Sequence, residues 1–246
     1  MLAKRRVINV EISMGSFAEH IQAICSLGSR HQSSYVCCVN SHMAVEAREP
    51  SFNAVVNKAD MATADGMPIL YSMQWLAKVK QERVAGNDLM PALLEEAERK
   101  GLGVYLYGGK QEVLDTIIAR TAKEHARSPI VGHESPPFRQ LTSAEMDETA
   151  ARINALGAHI IMVALGCPKQ ERWMAAMKGK VNGVMLGLGG AFLLYAGVDS
   201  RAPKWMRTLS LEWLYRLALE PRRLWKRYFI TNSIFLSMFL KALVKG

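Results

Sequence analysis

Along the first 198 residues, short runs of β-branched and apolar residues alternate with longer stretches of helical periodicity. Residues 7–12, 35–39, 61–64, 104–107, 130–132, 159–165 and 181–188 read as strands. Between them, residues 16–27, 41–48, 52–58, 68–78, 111–125 and 168–177 read as helices. Asn87 or Asp88 is placed to cap a helix running to Arg99, and Thr142 or Ser143 one running to Leu156, with Glu145 in capping-box position. Strands and helices in alternation predict an α/β fold, a Rossmann-like parallel sheet with helices on both faces. Ligands of such sheets bind beyond the carboxyl ends of the strands.

After Gly197 the strand pattern stops. Residues 205–219 read as helical, Pro221 follows, and a basic segment leads into an apolar tail. The chain thus divides into an α/β domain, 1–198, and a helical basic appendage, 199–246. No uninterrupted apolar run reaches the roughly 18 residues of a membrane span. Phe229 to Val244 comes nearest, broken by Thr231, Asn232, Ser233, Ser237 and Lys241.

Charge sharpens this division. The chain holds 31 Lys and Arg against 22 Asp and Glu, a net +9 over 246 residues. Ten of those cations and only three of the anions fall after residue 198. Such asymmetry marks a surface that meets phosphates in nucleic acid, lipid headgroups or a substrate. With half its residues hydrophobic, the chain is not disordered, collagenous or a coiled coil. Cys25, Cys37, Cys38 and Cys167 form no CxxC pair, and no secretory signal pattern opens the chain, so structural thiols in a reducing cytoplasm are expected. Cys37 and Cys38 should point to opposite faces of a strand. The six histidines have no metal-ligand spacing.

Polar residues and glycines gather at the strand ends. These are Cys38-Val39-Asn40, Asp65-Gly66, Gly108-Gly109, Gly166-Cys167-Pro168-Lys169-Gln170-Glu171 and Gly187-Leu188-Gly189-Gly190. A glycine pair lets phosphate approach helix N–H groups, and equally it makes an ordinary tight turn. No loop matches a GxxxxGK[ST] phosphate loop, a full dinucleotide fingerprint or a GxSxG elbow. Asp65 can be a general base or a turn-forming residue. Arg83 can clamp a phosphate bidentately or serve as a solvated charge.

Six segments, in order, resemble one family. They are Arg83-Val-Ala-Gly-Asn-Asp-Leu89, Tyr107-Gly-Gly-Lys110, Ala164-Leu-Gly-Cys-Pro-Lys-Gln-Glu171, Gly187-Leu-Gly-Gly190, Arg201-Ala-Pro203 and Leu211-Glu-Trp-Leu-Tyr-Arg-Leu217. Over about residues 35 to 228 the chain resembles the WecG–TagA–CpsF glycosyltransferases (glycosyltransferase family 26). The resemblance implies an inverting transferase moving a sugar from a UDP-sugar to a polyprenyl-diphosphate-linked acceptor at the cytoplasmic membrane face, for surface polysaccharide. It places the base on Asp65 and motif residues on Asn40, Arg83 and Gln170. It also implies that appendage arginines, here Arg216, Arg222 and Arg223, enter the site while the tail touches the membrane. Cys38 stands where the family has threonine, Leu193 where an Asp often follows the aromatic, and Ala64 where a Pro is common.

Substrate contacts are therefore expected at Cys38, Gly108, Gly109, Lys169, Gly189, Gly190 and the three arginines. No metal and no cofactor is expected, because Glu95-Glu96 and Asp147-Glu148 read as solvated helix faces and fixed cations can stabilise a leaving diphosphate instead. The expected partners are the donor, the lipid-linked acceptor and the inner membrane surface, and a homo-oligomer is compatible with the pattern. Phe229, Phe235, Leu236, Phe239, Leu240 and Leu243 are the candidate inserted face, unless the tail packs on the core. Nucleic-acid binding, or another nucleotide-dependent transfer such as methylation, are the competing functions. The first would use Trp205, Trp213, Trp225 and Tyr228 as stacking residues, although their helical spacing among Leu and Met favours core or lipid contact.

Overall fold

The computed structural model describes residues 2–203, 206, 212–219 and 221–245, with side chains described except at 212, 216, 222–224, 226–228 and 245. Its centre is a six-stranded sheet, parallel in every pairing. The strands are β3 (Ser34–Val39), β4 (Met61–Ala64), β5 (Val104–Gly108), β6 (Ile130–Glu134), β7 (Ile160–Ala164) and β8 (Val184–Gly187). Their spatial order is β4-β3-β8-β7-β5-β6. Strand periodicity explains the two-layered core. Tyr35, Cys37 and Val39 join one apolar cluster, and Val36 and Cys38 join the other. β5 divides in the same way, Tyr105 and Tyr107 against Val104 and Leu106. The two neighbouring cysteines therefore do face opposite layers, and all four cysteines are free thiols.

Helices α1 (Phe17–Ser29), α2 (Ser41–Glu46), α3 (Pro50–Asn57), α4 (Met67–Leu76), α5 (Gly86–Lys100), α6 (Gln111–Glu124), α7 (Ser143–Ala155), α8 (Lys169–Met177) and α9 (Ala191–Tyr195) cover the sheet. Ser16 and Thr142 cap α1 and α7 in complete capping boxes with Glu19 and Glu145. The cap of α5 differs from expectation. Its N-cap is Ala85, not Asn87 or Asp88, because residues 83–85 stay extended while the Val84 N–H donates to the Ala64 carbonyl at 2.9 Å.

The run at 7–12 is not one strand. β1 (Lys4–Val7) and β2 (Val10–Ser13) form an antiparallel hairpin that turns at Ile8 and Asn9, with Ile8 at φ 57°. A β-branched residue with positive φ is uncommon, and neither Gly nor Asn-Gly signals the turn. Asn9 accounts for it: its Nδ2 donates to the carbonyls of Ala44 and Ala47 at 3.0 and 2.9 Å. Lys4 Nζ reaches the Ala59 carbonyl, and Ser13 Oγ accepts the Ala62 N–H, so the hairpin is braced beside β4.

Beyond the sheet lie α10 (Glu212–Leu219) and α11 (Pro221–Lys245), the latter packed on α2 and α4. Thr231 and Phe235 are buried there, Phe235 in the cluster that also holds Cys37. Phe235 is thus part of the core, not of an outward face. Ile230, Leu236, Leu240 and Leu243 are exposed, and Phe229 and Val244 are 71% and 88% exposed. Among the described residues no helix is long and apolar enough to cross a membrane.

Candidate active site

Five of the six parallel strands end in the polar and glycine-rich segments noted in the sequence or close beside them, so those segments meet along one edge. Asp65 follows β4, with its N–H donating to the Val39 carbonyl at 3.0 Å, which locks it beside the end of β3. Asn40 ends that neighbour and caps α2, its Oδ1 accepting the Met43 N–H at 3.1 Å. Capping leaves the Asn40 amide nitrogen as the group available to a ligand. A Cβ on Gly66 would lie 3.3 Å from the Asn40 Cβ, so the absence of a side chain there permits the approach. Arg83 stands over the same corner, its Nε donating to the Asp65 main-chain carbonyl at 3.0 Å. A carboxylate, an amide and a guanidinium from three segments are thereby gathered at the ends of two strands.

Cys38 lies beneath this corner, opposite Thr63 in the β3–β4 register. Thr63 is buried, and its hydroxyl donates to the Val84 carbonyl at 2.8 Å. Burial first, then the Asp65 charge, pushes the Cys38 thiol up, so it stays protonated and is not a nucleophile. It is 5% exposed, which makes it a floor residue rather than an open contact. A Cβ on Gly86 would sit 3.7 Å from its sulfur.

The middle of the edge is built by β8, β7 and α8. Gln170 is 4% exposed, and its Oε1 accepts the Gly166 N–H at 3.2 Å. It lies against the β8 turn: a Cβ on Gly189 would be 3.4 Å from Gln170 Oε1. Gly190 follows at the cap of α9. Gly108 and Gly109 close the β5 end, with φ of 103° and 80°. A Cβ on Gly108 would meet the Ala164 carbonyl oxygen at 2.6 Å, so both geometry and space there require glycine. The Ser135 hydroxyl donates to the Gly109 carbonyl at 2.7 Å, extending the edge to the end of β6.

Lys169 is exposed in the first turn of α8 and has no side-chain hydrogen bond or ion pair among the described residues. Arg216 lies in α10, and Arg222 and Arg223 in the first turn of α11, but their side chains lie outside those described. Trp205 lies outside the described residues altogether, and so does the Tyr228 side chain.

Three contributors escaped sequence reasoning. Thr63 looked like an ordinary strand residue. Asp88, expected as a cap, instead forms an ion pair with Arg201, which joins the Arg-Ala-Pro segment to the first turn of α5. Glu171 was noted only as part of the segment that ends β7 and was given no role, yet it has no exposed surface. In each of the two acidic pairs read as solvated helix faces, a basic side chain holds at least one carboxylate. Glu96 bonds Arg99 and Lys100, and Asp147 bonds Lys180 at 2.6 Å.

Comparison with known proteins gives two findings. The model of the glycosyl transferase WecG/TagA/CpsF family matches residues 5–246. A protein of Bacillus spizizenii named N-acetylglucosaminyldiphosphoundecaprenol N-acetyl-beta-D-mannosaminyltransferase is 29% identical over 220 residues, covering 89% of this chain and 82% of that protein.

Proposed function

The chain belongs to the WecG/TagA/CpsF glycosyltransferase family, and from that premise we propose that it moves a sugar from a UDP-sugar to a polyprenyl-diphosphate-linked glycan, with inversion. The observation that carries this reading is the corner where Arg83 holds the Asp65 carbonyl beside Asn40. In the proposed step, the Asp65 carboxylate takes the proton of the acceptor hydroxyl. That oxygen bonds to the anomeric carbon from the face opposite the leaving group, and the bond to the UDP oxygen breaks. Single displacement inverts the anomeric centre.

Charge on the departing diphosphate needs stabilisation of the oxyanion type. Arg83, the backbone N–H groups opening α6 and the appendage arginines Arg216, Arg222 and Arg223 are assigned that task, without a metal. Asn40 and Gln170 orient the sugar. Gly108, Gly109, Gly189 and Gly190 leave room for it, Cys38 floors the site, and Lys169 borders it. Residues 1–198 form the catalytic domain. Residues 199–246 complete the site and hold the protein on the inner face of the cell membrane, with the outward side of α11 as the contact.

The name of the Bacillus relative supports a lipid-diphosphate acceptor and makes an N-acetylmannosamine donor the first to try. The test is a UDP-sugar screen against a short-chain prenyl-diphosphate N-acetylglucosamine acceptor. A β-linked product from an α-linked donor is expected. An α-linked product, or no transfer from any UDP-sugar, would reject the reading.

A further inference from the structure

Glu171 is fully buried on the carboxyl edge of the sheet. Its Oε1 accepts from Gln170 Nε2 at 2.7 Å. Both side chains press on the end of β8. A Cβ on Gly187 would lie 2.9 Å from Gln170 Nε2 and 3.2 Å from Glu171 Oε1. Burial pushes the Glu171 carboxyl above the usual carboxylate range, against the opposing effect of hydrogen bonds from Gln170, its own backbone and Cys167. A buried carboxyl weakens a fold compared with an apolar residue of like volume. Stability therefore does not explain a glutamate here.

The geometry around Gln170 does. A primary amide can turn over, exchanging its oxygen and nitrogen. Here the Gly166 N–H demands an acceptor on one side, and Glu171 Oε1 presents an acceptor on the other. Only one orientation satisfies both. One Nε2 hydrogen is then spent on Glu171, and the second is left on the side of the Gly187–Gly190 turn.

We propose that Glu171 is a positioning residue that fixes the Gln170 amide with its second N–H presented to the transferred sugar or its diphosphate. This rests on the reading of Gln170 as a substrate contact. The chemistry asks of Glu171 a neutral acceptor and not a charge, so glutamine should replace it and methionine should not.

The experiment compares Q170A, E171M, E171Q and the double variant Q170A/E171M in the full chain, with thermal midpoints measured alongside turnover. E171M fills the same space, so its midpoint should be unchanged or higher while kcat falls about 10- to 100-fold, the scale of a misplaced contact. E171Q should keep kcat close to wild type. The double variant should be no slower than Q170A, since residues acting through one another are not additive. A folded E171M with wild-type kcat beside a slow Q170A would overturn the proposal and leave the Gln170 reading standing. So would an E171Q as slow as E171M, or a multiplicative loss in the double variant. If Q170A itself turned over normally, the reading of Gln170 would fall and this proposal with it.

Discussion

Arg83 Nε donates to the main-chain carbonyl of Asp65, eighteen residues earlier in the chain, at 3.0 Å. The guanidinium is therefore moored to the backbone of the residue that carries the candidate base. The bond uses the Asp65 carbonyl, so it survives any change to the Asp65 side chain.

Asp65→Asn should keep the fold and remove the proton acceptor. Its kcat should fall at least about 100-fold, the low end for a general base. Normal turnover in the asparagine variant would take the role of base away from Asp65.

Turnover should persist in EDTA. Glu96 and Asp147 are each paired with basic side chains, and the Arg99 and Lys100 hydrogen bonds hold Glu96 down to about 2. Loss of activity with chelator, restored by a divalent ion, would show that a metal shares in stabilising the leaving diphosphate.

Gly108→Ala should be destabilised by about 2 kcal/mol or more. Positive φ alone costs an L-residue about 1–2 kcal/mol, and the new methyl would strike the Ala164 carbonyl oxygen at 2.6 Å. Gly101→Ala supplies the control. Its φ of 65° is also left-handed, but no atom lies within 4 Å of a Cβ there. Equal urea midpoints for the two variants would mean that the close approach of β5 and β7 contributes nothing.

Stability should decline as pH falls below about 6.5. His159 packs on His31 with ring centroids 4.3 Å apart and the planes tilted by 33°, and its Nδ1 accepts the Gly103 N–H at 2.9 Å. Burial, then the His31 charge, lowers its pKa from the ordinary 6.5. Below 6.5 the unfolded chain binds a proton that the folded ring resists. The contribution is thus whole above 6.5 and shrinks until the folded ring also titrates. His159→Asn keeps an acceptor and removes the titration, so its urea-derived stability should vary less between pH 7 and 5. Parallel profiles would clear His159 of the effect.

Replacing Phe229, Leu236 and Leu240 by Ser should abolish co-sedimentation with anionic vesicles and leave the melting temperature intact, because all three are exposed. This is a cleaner test than deleting 229–246, which would also pull Phe235 out of the core. Wild-type vesicle binding by the triple variant would rule out α11 as the contact.

Much of the fold was legible because the central strands are short, nearly continuous apolar runs bounded by caps and glycines. Cys37 and Cys38 could be assigned to opposite faces from adjacency alone. The hairpin at Ile8–Asn9 could not be foreseen, because its turn is held by Asn9 bonds to carbonyls about 35 residues onward, a tertiary effect that overrides local preference. The site was legible as strand ends that topology would align. Glu171 was hidden for the opposite reason. Its burial arises from packing on Gly187, and nothing in its neighbours along the chain distinguishes it from a solvated acid.

The six-residue helix α2 links two parts of the molecule. Asn40 caps it, and α11 is packed against it. Interiors packed to crystal density transmit displacement instead of absorbing it. With Asn40 and α11 in their proposed roles, the expected consequence is that anionic vesicles shift the Kd for the sugar donor, and equal Kd values with and without vesicles would exclude such a linkage.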